Sequence, residues 1–161
     1  MPKLCTRETC RVLGVLTVAA AALAVYLPTA RFKLVWDDLD VALNSSASPA
    51  RAFSSSFWSN PAVLSGRDVY YRPLVNLSLG LDRLIGQGRA GWFHFANALL
   101  HAVVAALFAR VLLRLSGSVR LTLAGGLLYG LHPMLADSVA YVSGRTDVLA
   151  GLGLILALLG L

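Results

Sequence analysis

The stretch VLGVLTVAAAALAVYLPTA, residues 12–30, runs for 19 residues without a charge and follows Lys3, Arg7 and Arg11. A helix rises about 1.5 Å per residue, so a block of that length covers roughly the 30 Å hydrocarbon core of a bilayer. The rival reading is a cleaved signal peptide, whose apolar region runs about 7–15 residues and ends in a small-residue cleavage site. This block is longer and closes on Leu27-Pro28-Thr29-Ala30. An uncleaved first span is expected.

Outward from that block the chain keeps the same character. Of its 161 residues, 57% are apolar and 14% are charged, against about 25% charged in soluble domains. Apolar blocks return at residues 92–115 and 119–142, predicted as the second and third spans. A fourth begins at 147–161, and its 15 residues fall short of the roughly 20 that a crossing needs. The sequence therefore reads as the N-terminal portion of something longer. The expected class is an all-α membrane protein with about four transmembrane helices.

Between the first two spans lies a different kind of segment, residues 31–91, with five acids and seven basic residues. Two short interfacial helices are expected in it. One starts at Ser48-Pro49, with Ser as N-cap and Pro in the first turn, and offers Phe53, Phe57 and Trp58 to the membrane boundary. The other starts at Arg72-Pro73 and carries a helical stripe of Leu74, Leu77, Leu81, Leu84 and Ile85. With Asp82 and Arg83 inside it, that stripe is too short and too charged to cross.

Basic residues set the orientation. Lys3, Arg7 and Arg11 place residues 1–11 in the cytoplasm, and Arg110, Arg114 and Arg120 mark the turn between spans two and three as cytoplasmic as well. The loop 31–91 is then extracytoplasmic, in a periplasm or an endoplasmic-reticulum lumen. The formal charge of +6 has this topological meaning, since no aromatic-interleaved basic run or zinc-type spacing supports nucleic acid. Cys5 and Cys10 precede the first span on the reducing side and are expected as free thiols.

Chemistry concentrates near the outer boundary. Trp36-Asp37-Asp38 puts two carboxylates just past span one, where an ionised oxygen serves as a general base or holds a divalent cation. His132 and Asp137 fall in the outer part of span three, beside Pro133. An acid at that depth is functional by default. Arg145 and Asp147 open span four on the same side, either as a mutual ion pair or, with Arg72, as guanidinium groups facing phosphate oxygens. His94, Asn97 and His101 form a polar stripe on span two, but two helical turns separate the imidazoles by about 10.5 Å, too far to share a zinc. That stripe suits interhelical hydrogen bonds. Gly126-Leu127-Leu128-Tyr129-Gly130 permits close helix packing. Hydrolase, P-loop kinase and dehydrogenase signatures are missing.

Taken in order, Trp36-Asp37-Asp38, Ser48-Pro49 with Phe53 and Phe57-Trp58, Tyr71-Arg72-Pro73-Leu74, Phe93-His94 with Asn97 and Leu100-His101, Leu131-His132-Pro133 and Gly144-Arg145-Thr146-Asp147 form a recognisable series. It resembles the N-terminal membrane region of the transmembrane and tetratricopeptide-repeat O-mannosyltransferases, of the GT-C glycosyltransferase superfamily, over roughly residues 31–161. The resemblance implies inverting transfer of a sugar, mannose by the family's name, from a polyprenyl-phosphate donor to a protein or glycan hydroxyl. Asp37 or Asp38 would be the base, Asp137 a supporting acid, and Tyr71, Arg72, His132, Arg145 and Asp147 would contact substrate. No resident metal is implied, and a divalent cation stays open. One departure stands out: the family pattern His-Pro-x-His-Thr-Glu is here His132-Pro133-Met134-Leu135-Ala136-Asp137. The second histidine is lost and the acid is shorter by one carbon. Without the family's later helices the stretch alone is expected to be inactive. The alternatives are a non-catalytic scaffold whose outer loop docks a partner, and a transporter fragment with His94, His101 and Asp137 along a path.

Overall fold

The structure is a computed structural model that describes residues 6–54, 57 and 70–160. Every regular element among them is helical. Helix α1 (Arg7–Tyr26) begins where the Thr6 hydroxyl accepts a hydrogen bond from the Thr9 N–H and runs on into a 3-10 turn at Leu27–Arg31. Three short helices follow in the outer segment, α2 (Asp37–Asn44), α3 (Pro49–Ser54) and α4 (Pro73–Ile85). The long helix α5 (Ala90–Ser116) ends on Gly117, whose φ of 63° is the left-handed cap that a glycine adopts without strain. Then come α6 (Val119–Gly130), α7 (Ala136–Ala140) and α8 (Arg145–Leu159).

Three helical stretches are long and apolar enough to cross a membrane: Arg7–Arg31, Ala90–Ser116 and Val142–Leu159. The first two contain the apolar blocks 12–30 and 92–115. The third expected span, 119–142, is not one helix. It stops at Gly130, turns through a 3-10 segment at Pro133–Leu135 and resumes only as the five-residue α7. Proline disfavours helical backbone in the residue before it, and here the helix is already over by Leu131. The next helix starts at Arg145, two residues before the expected Asp147.

The half formed by the long helices, expected from sequence to be the inner one, is held by small residues. Val18 and Ala22 of α1 and Ala102, Ala105 and Ala109 of α5 form one buried cluster. Gly126 and Gly130 of α6 face it: a Cβ at Gly126 would lie 2.8 Å from Val18 Cγ2, and one at Gly130 would lie 3.3 Å from both Ala22 and Ala105. The glycine pair thus lets three backbones close together. Helix α8 packs on the other side of α5 through Val148, Ile155 and Leu159, with Val104 and Ala98 beneath them. Arg114 of α5 donates to the Leu159 carbonyl at 2.9 Å, which satisfies a free carbonyl at the end of α8.

In the half built around the short helices, expected from sequence to be the outer one, Val41 and Ala42 of α2, Phe57, Val75 and Leu79 of α4, Phe93 of α5 and Val142 share a second core. Helix α4 lies hard against the backbone of residues 46–47, where a Cβ on Gly80 would come within 2.2 Å of the Ser46 carbonyl carbon. Two expectations are corrected here. The loop holds a third helix, α2, that begins on the acidic pair itself; and Phe57 lies beyond the end of α3 with its side chain buried, so Phe53 and Phe57 do not share a helical face. Trp58 lies outside the described residues. Cys10 is disulfide-bonded, not the expected free thiol, an expectation that rested on compartment alone.

Candidate active site

The two aspartates of the tandem pair have opposite environments. Residues Asp37, Asp38 and Asp40 all fall in the first turn of α2, where the helix dipole favours negative charge. The turn into that helix passes through Trp36, whose φ of 47° is a strained backbone conformation for a residue with a side chain. Successive residues of a helix point about 100° apart, so the two carboxylates diverge. Asp38 is fully buried and accepts three hydrogen bonds: from the Val142 N–H at 3.2 Å, the Ser143 N–H at 2.8 Å and the Ser143 hydroxyl at 2.8 Å. It fastens α2 to the turn that leads into α8. Asp37 is exposed.

A cavity of about 820 Å³ is lined by Phe32, Lys33, Val35, Trp36, His94, Asp137, Ala140 and Tyr141; Asp37 is not a lining residue itself but lies near Tyr141 of that wall. The wall is mostly aromatic and aliphatic, with an acid, a cation, an imidazole and a phenol among it. Burial pushes the Tyr141 phenol above its ordinary pKa, and the nearby Asp37 carboxylate pushes it further. Tyr141 therefore stays protonated through neutral pH as a hydrogen-bond donor. The segment after the first span thus meets the broken stretch around α7 at one cavity. Asp137 is exposed at that wall.

The predicted arginines lie elsewhere. Arg145 is 1% exposed, and its guanidinium is divided among partners on two helices. Nη1 pairs with Asp82 Oδ2 at 2.5 Å, Nε donates to Asn97 Oδ1 at 2.6 Å, and Nη2 donates to the Phe93 carbonyl at 3.3 Å. The pairing with Asp147 considered from sequence is not formed; Asp147 accepts from the Ser138 hydroxyl at 3.0 Å. Arg72 is half-buried, with its guanidinium carbon 4.9 Å from the Phe57 ring centroid and 5.1 Å from that of Tyr70, and it donates to the Thr146 hydroxyl at 3.1 Å. Tyr71 donates to the Phe53 carbonyl at 2.9 Å. His132 is exposed and uses Nδ1 to accept from the Met134 N–H at 3.2 Å, capping the 3-10 turn.

The polar stripe on α5 divides in the same way. Asn97 is the hub of the break after α7: its amide reaches the carbonyls of Val139, Tyr141 and Val142 at 3.2–3.5 Å while its oxygen takes Arg145. His101 Nε2 bonds the Gly130 carbonyl at 2.9 Å, where α6 ends. His94 joins neither set. Sequence reasoning also passed over Lys33, whose signal was available: with Arg31 it is one of two charges between the end of span one and the acidic pair. No group of three or more potential metal ligands occurs among the described residues.

The chain is 42% identical over 135 residues to a Drosophila melanogaster protein named Protein O-mannosyl-transferase Tmtc2, covering 80% of this chain and 14% of that one. It is 36% identical over 149 residues to the Mus musculus protein O-mannosyl-transferase TMTC2, and 35% identical over 149 residues to the Homo sapiens one, in each case 89% of this chain and 18% of the relative. The chain thus spans only 14–18% of the length of these curated relatives. No family model matches it, and no solved structure matches it.

Proposed function

We propose, from the premise that the chain is a homologue of the TMTC protein O-mannosyl-transferases over most of its own length, that it forms the acceptor-activating part of a membrane glycosyltransferase. The sugar is mannose, carried on a polyprenyl phosphate, and the acceptor is a protein hydroxyl on the extracytoplasmic side. The division of labour between the aspartates supports this reading most directly. Asp38 is consumed by three hydrogen bonds, which leaves the exposed Asp37, near Tyr141 of the cavity wall, to serve as the base.

In the proposed reaction Asp37 takes the proton of the acceptor hydroxyl. The freed oxygen bonds to the anomeric carbon, the bond from that carbon to the phosphate oxygen breaks, and the lipid phosphate leaves, with inversion. Asp137 holds sugar hydroxyls from the cavity wall, and Trp36 offers an apolar face to the donor. Lys33 faces the leaving phosphate. Arg145 is a positioning residue: by tying α4 and α5 to the start of α8 it fixes the turn that holds Asp38. Arg72, Tyr71, His132 and Asp147 are not among the residues that line the cavity, and they are given no part in the proposed transfer. The N-terminus is then cytoplasmic and the cavity opens at the opposite face.

Mannosyl transfer from a polyprenyl-phosphate donor, measured in membranes carrying the complete open reading frame, tests the assignment. Asp37→Asn should lower kcat by about 10²–10⁴-fold, the range of a lost general base, at unchanged protein level. Asp38→Asn should lower the folded yield, since it weakens three buried hydrogen bonds of about 1 kcal/mol each. Full transfer activity in the Asp37→Asn protein would overturn Asp37 as the base, whereas absence of transfer by the unaltered protein would remove the enzyme assignment in favour of a scaffold.

A further inference from the structure

His94 is the polar side chain that the fold leaves without employment. It is 2% exposed on the first turns of α5, and neither Nδ1 nor Nε2 has a hydrogen-bond partner. A buried imidazole with both nitrogens unsatisfied is costly, because each polar atom loses its water without replacement. Its stripe-mates show the usual solution: Asn97 and His101 both bond backbone carbonyls at helix ends. His94 instead meets the edge of the Phe32 ring at 6.1 Å between centroids and lines the 820 Å³ cavity. Both nitrogens are closed off from solvent, so a partner in that cavity meets them once the ring turns past Phe32.

The rest of the wall says what chemistry that partner has. Phe32, Val35, Trp36 and Ala140 suit a hydrocarbon or the apolar face of a ring, and Lys33 is the one cation among the described lining residues. The two guanidinium groups expected to meet phosphate are otherwise engaged, Arg145 by Asp82 and Asn97 and Arg72 by two rings and Thr146. Resting on the donor reading above, we propose that His94 is a substrate-binding residue of the cavity, donating from a ring nitrogen to a phosphate oxygen of a lipid-linked donor whose charge Lys33 balances. An amphipathic lipid phosphate matches both halves of this wall: its chain meets the aromatic and aliphatic residues, and its headgroup meets Lys33 and His94.

The test measures binding of a short-chain polyprenyl phosphate, and of the corresponding uncharged polyprenol, to the complete protein in nanodiscs, read by quenching of tryptophan fluorescence. Saturable binding of the phosphate by the unaltered protein is expected; if it is missing, the donor reading and this assignment fall together. His94→Phe fills the same space without nitrogens and should weaken phosphate binding about tenfold, the scale of one lost hydrogen bond to a charged group, while leaving polyprenol binding unchanged. His94→Gln keeps a donor and an acceptor and should recover most of the loss. If His94→Phe binds the phosphate as tightly as the unaltered protein, the His94 assignment alone is overturned and the donor reading stands. Equal loss for phosphate and polyprenol, or equal loss in the Gln variant, would show a role in packing and would also overturn it.

Discussion

The two ends of this molecule are held together by different physics. At the inner end α1, α5 and α6 meet through Val18, Ala22, Ala105, Ala109, Gly126 and Gly130, a contact made of shape alone. At the outer end the contacts are polar and specific: Asp38 to the 142–143 turn, Asn97 to three carbonyls, Arg145 to Asp82. The reason lies in the backbone. The inner helices are continuous and satisfy their own peptide groups. The outer half contains a helix that breaks at Gly130 and restarts at Arg145, and every freed backbone group there needs a partner. A region that must be built from side-chain hydrogen bonds is also one that can hold a polar cavity.

The largest effect should come from the outer network. Arg145→Met leaves the Asp82 carboxylate and the Asn97 oxygen without their partner in a nearly dry site. Breaking a buried pair from one side costs about 3–5 kcal/mol, which should appear as a marked fall in the unfolding midpoint in detergent. Adding Asp82→Asn should restore part of that loss. A fall below about 1 kcal/mol in the single variant would show that the pair is well hydrated, and the contrast between the two ends would weaken. The inner end should respond less. In Gly126→Ala the new methyl meets Val18 at 2.8 Å and Ala109 at 3.1 Å, and Val18 is a stiff β-branched residue with little room to turn. Overpacking of this kind costs about 1–3 kcal/mol. The same melting experiment checks it, and a neutral result would mean that the three helices are not as closely seated as the contact implies.

How much of this the sequence disclosed follows the same division. Helices α1 and α5 were legible because an uncharged block of about 20 residues has few other fates, and the Gly126–Gly130 spacing foretold a close helix contact. Helix α2 was not legible, because its N-cap is Trp36 in a strained conformation with no side-chain cap, where Ser, Thr, Asp or Asn would have announced it. The break in the third block had a visible cause in Pro133, but hydrophobicity alone ran on through it to Val142. The partner of Arg145 was hidden for a different reason: Asp147 is two positions away, whereas Asp82 reaches it only after α4 and α8 have docked against α5. Sequence proximity is a poor guide to ion pairs that bridge three helices. The sequence expected Trp36-Asp37-Asp38 and Asp137 in one place, and Trp36 and Asp137 do line one cavity; which aspartate is buried was not legible, since it follows from the docking of α2 against the 142–143 turn.

The smallest effect belongs to the face that neither set of contacts uses. Gly153 lies within α8, and a Cβ built there meets nothing within 4 Å. Its neighbours Leu154 and Leu158 are 64% and 66% exposed, as suits side chains directed toward lipid. Alanine is favoured over glycine within a helix by about 1 kcal/mol in water. In a bilayer the helix is already formed in the unpacked state, so less of that preference is realised. Gly153→Ala should therefore leave the melting midpoint unchanged or raise it by the equivalent of less than about 1 kcal/mol. A loss comparable to that of Gly126→Ala would have a specific meaning. It would show that a further element seats against this glycine as α1 and α5 seat against α6, and that the shape-driven mode of packing extends to a second face.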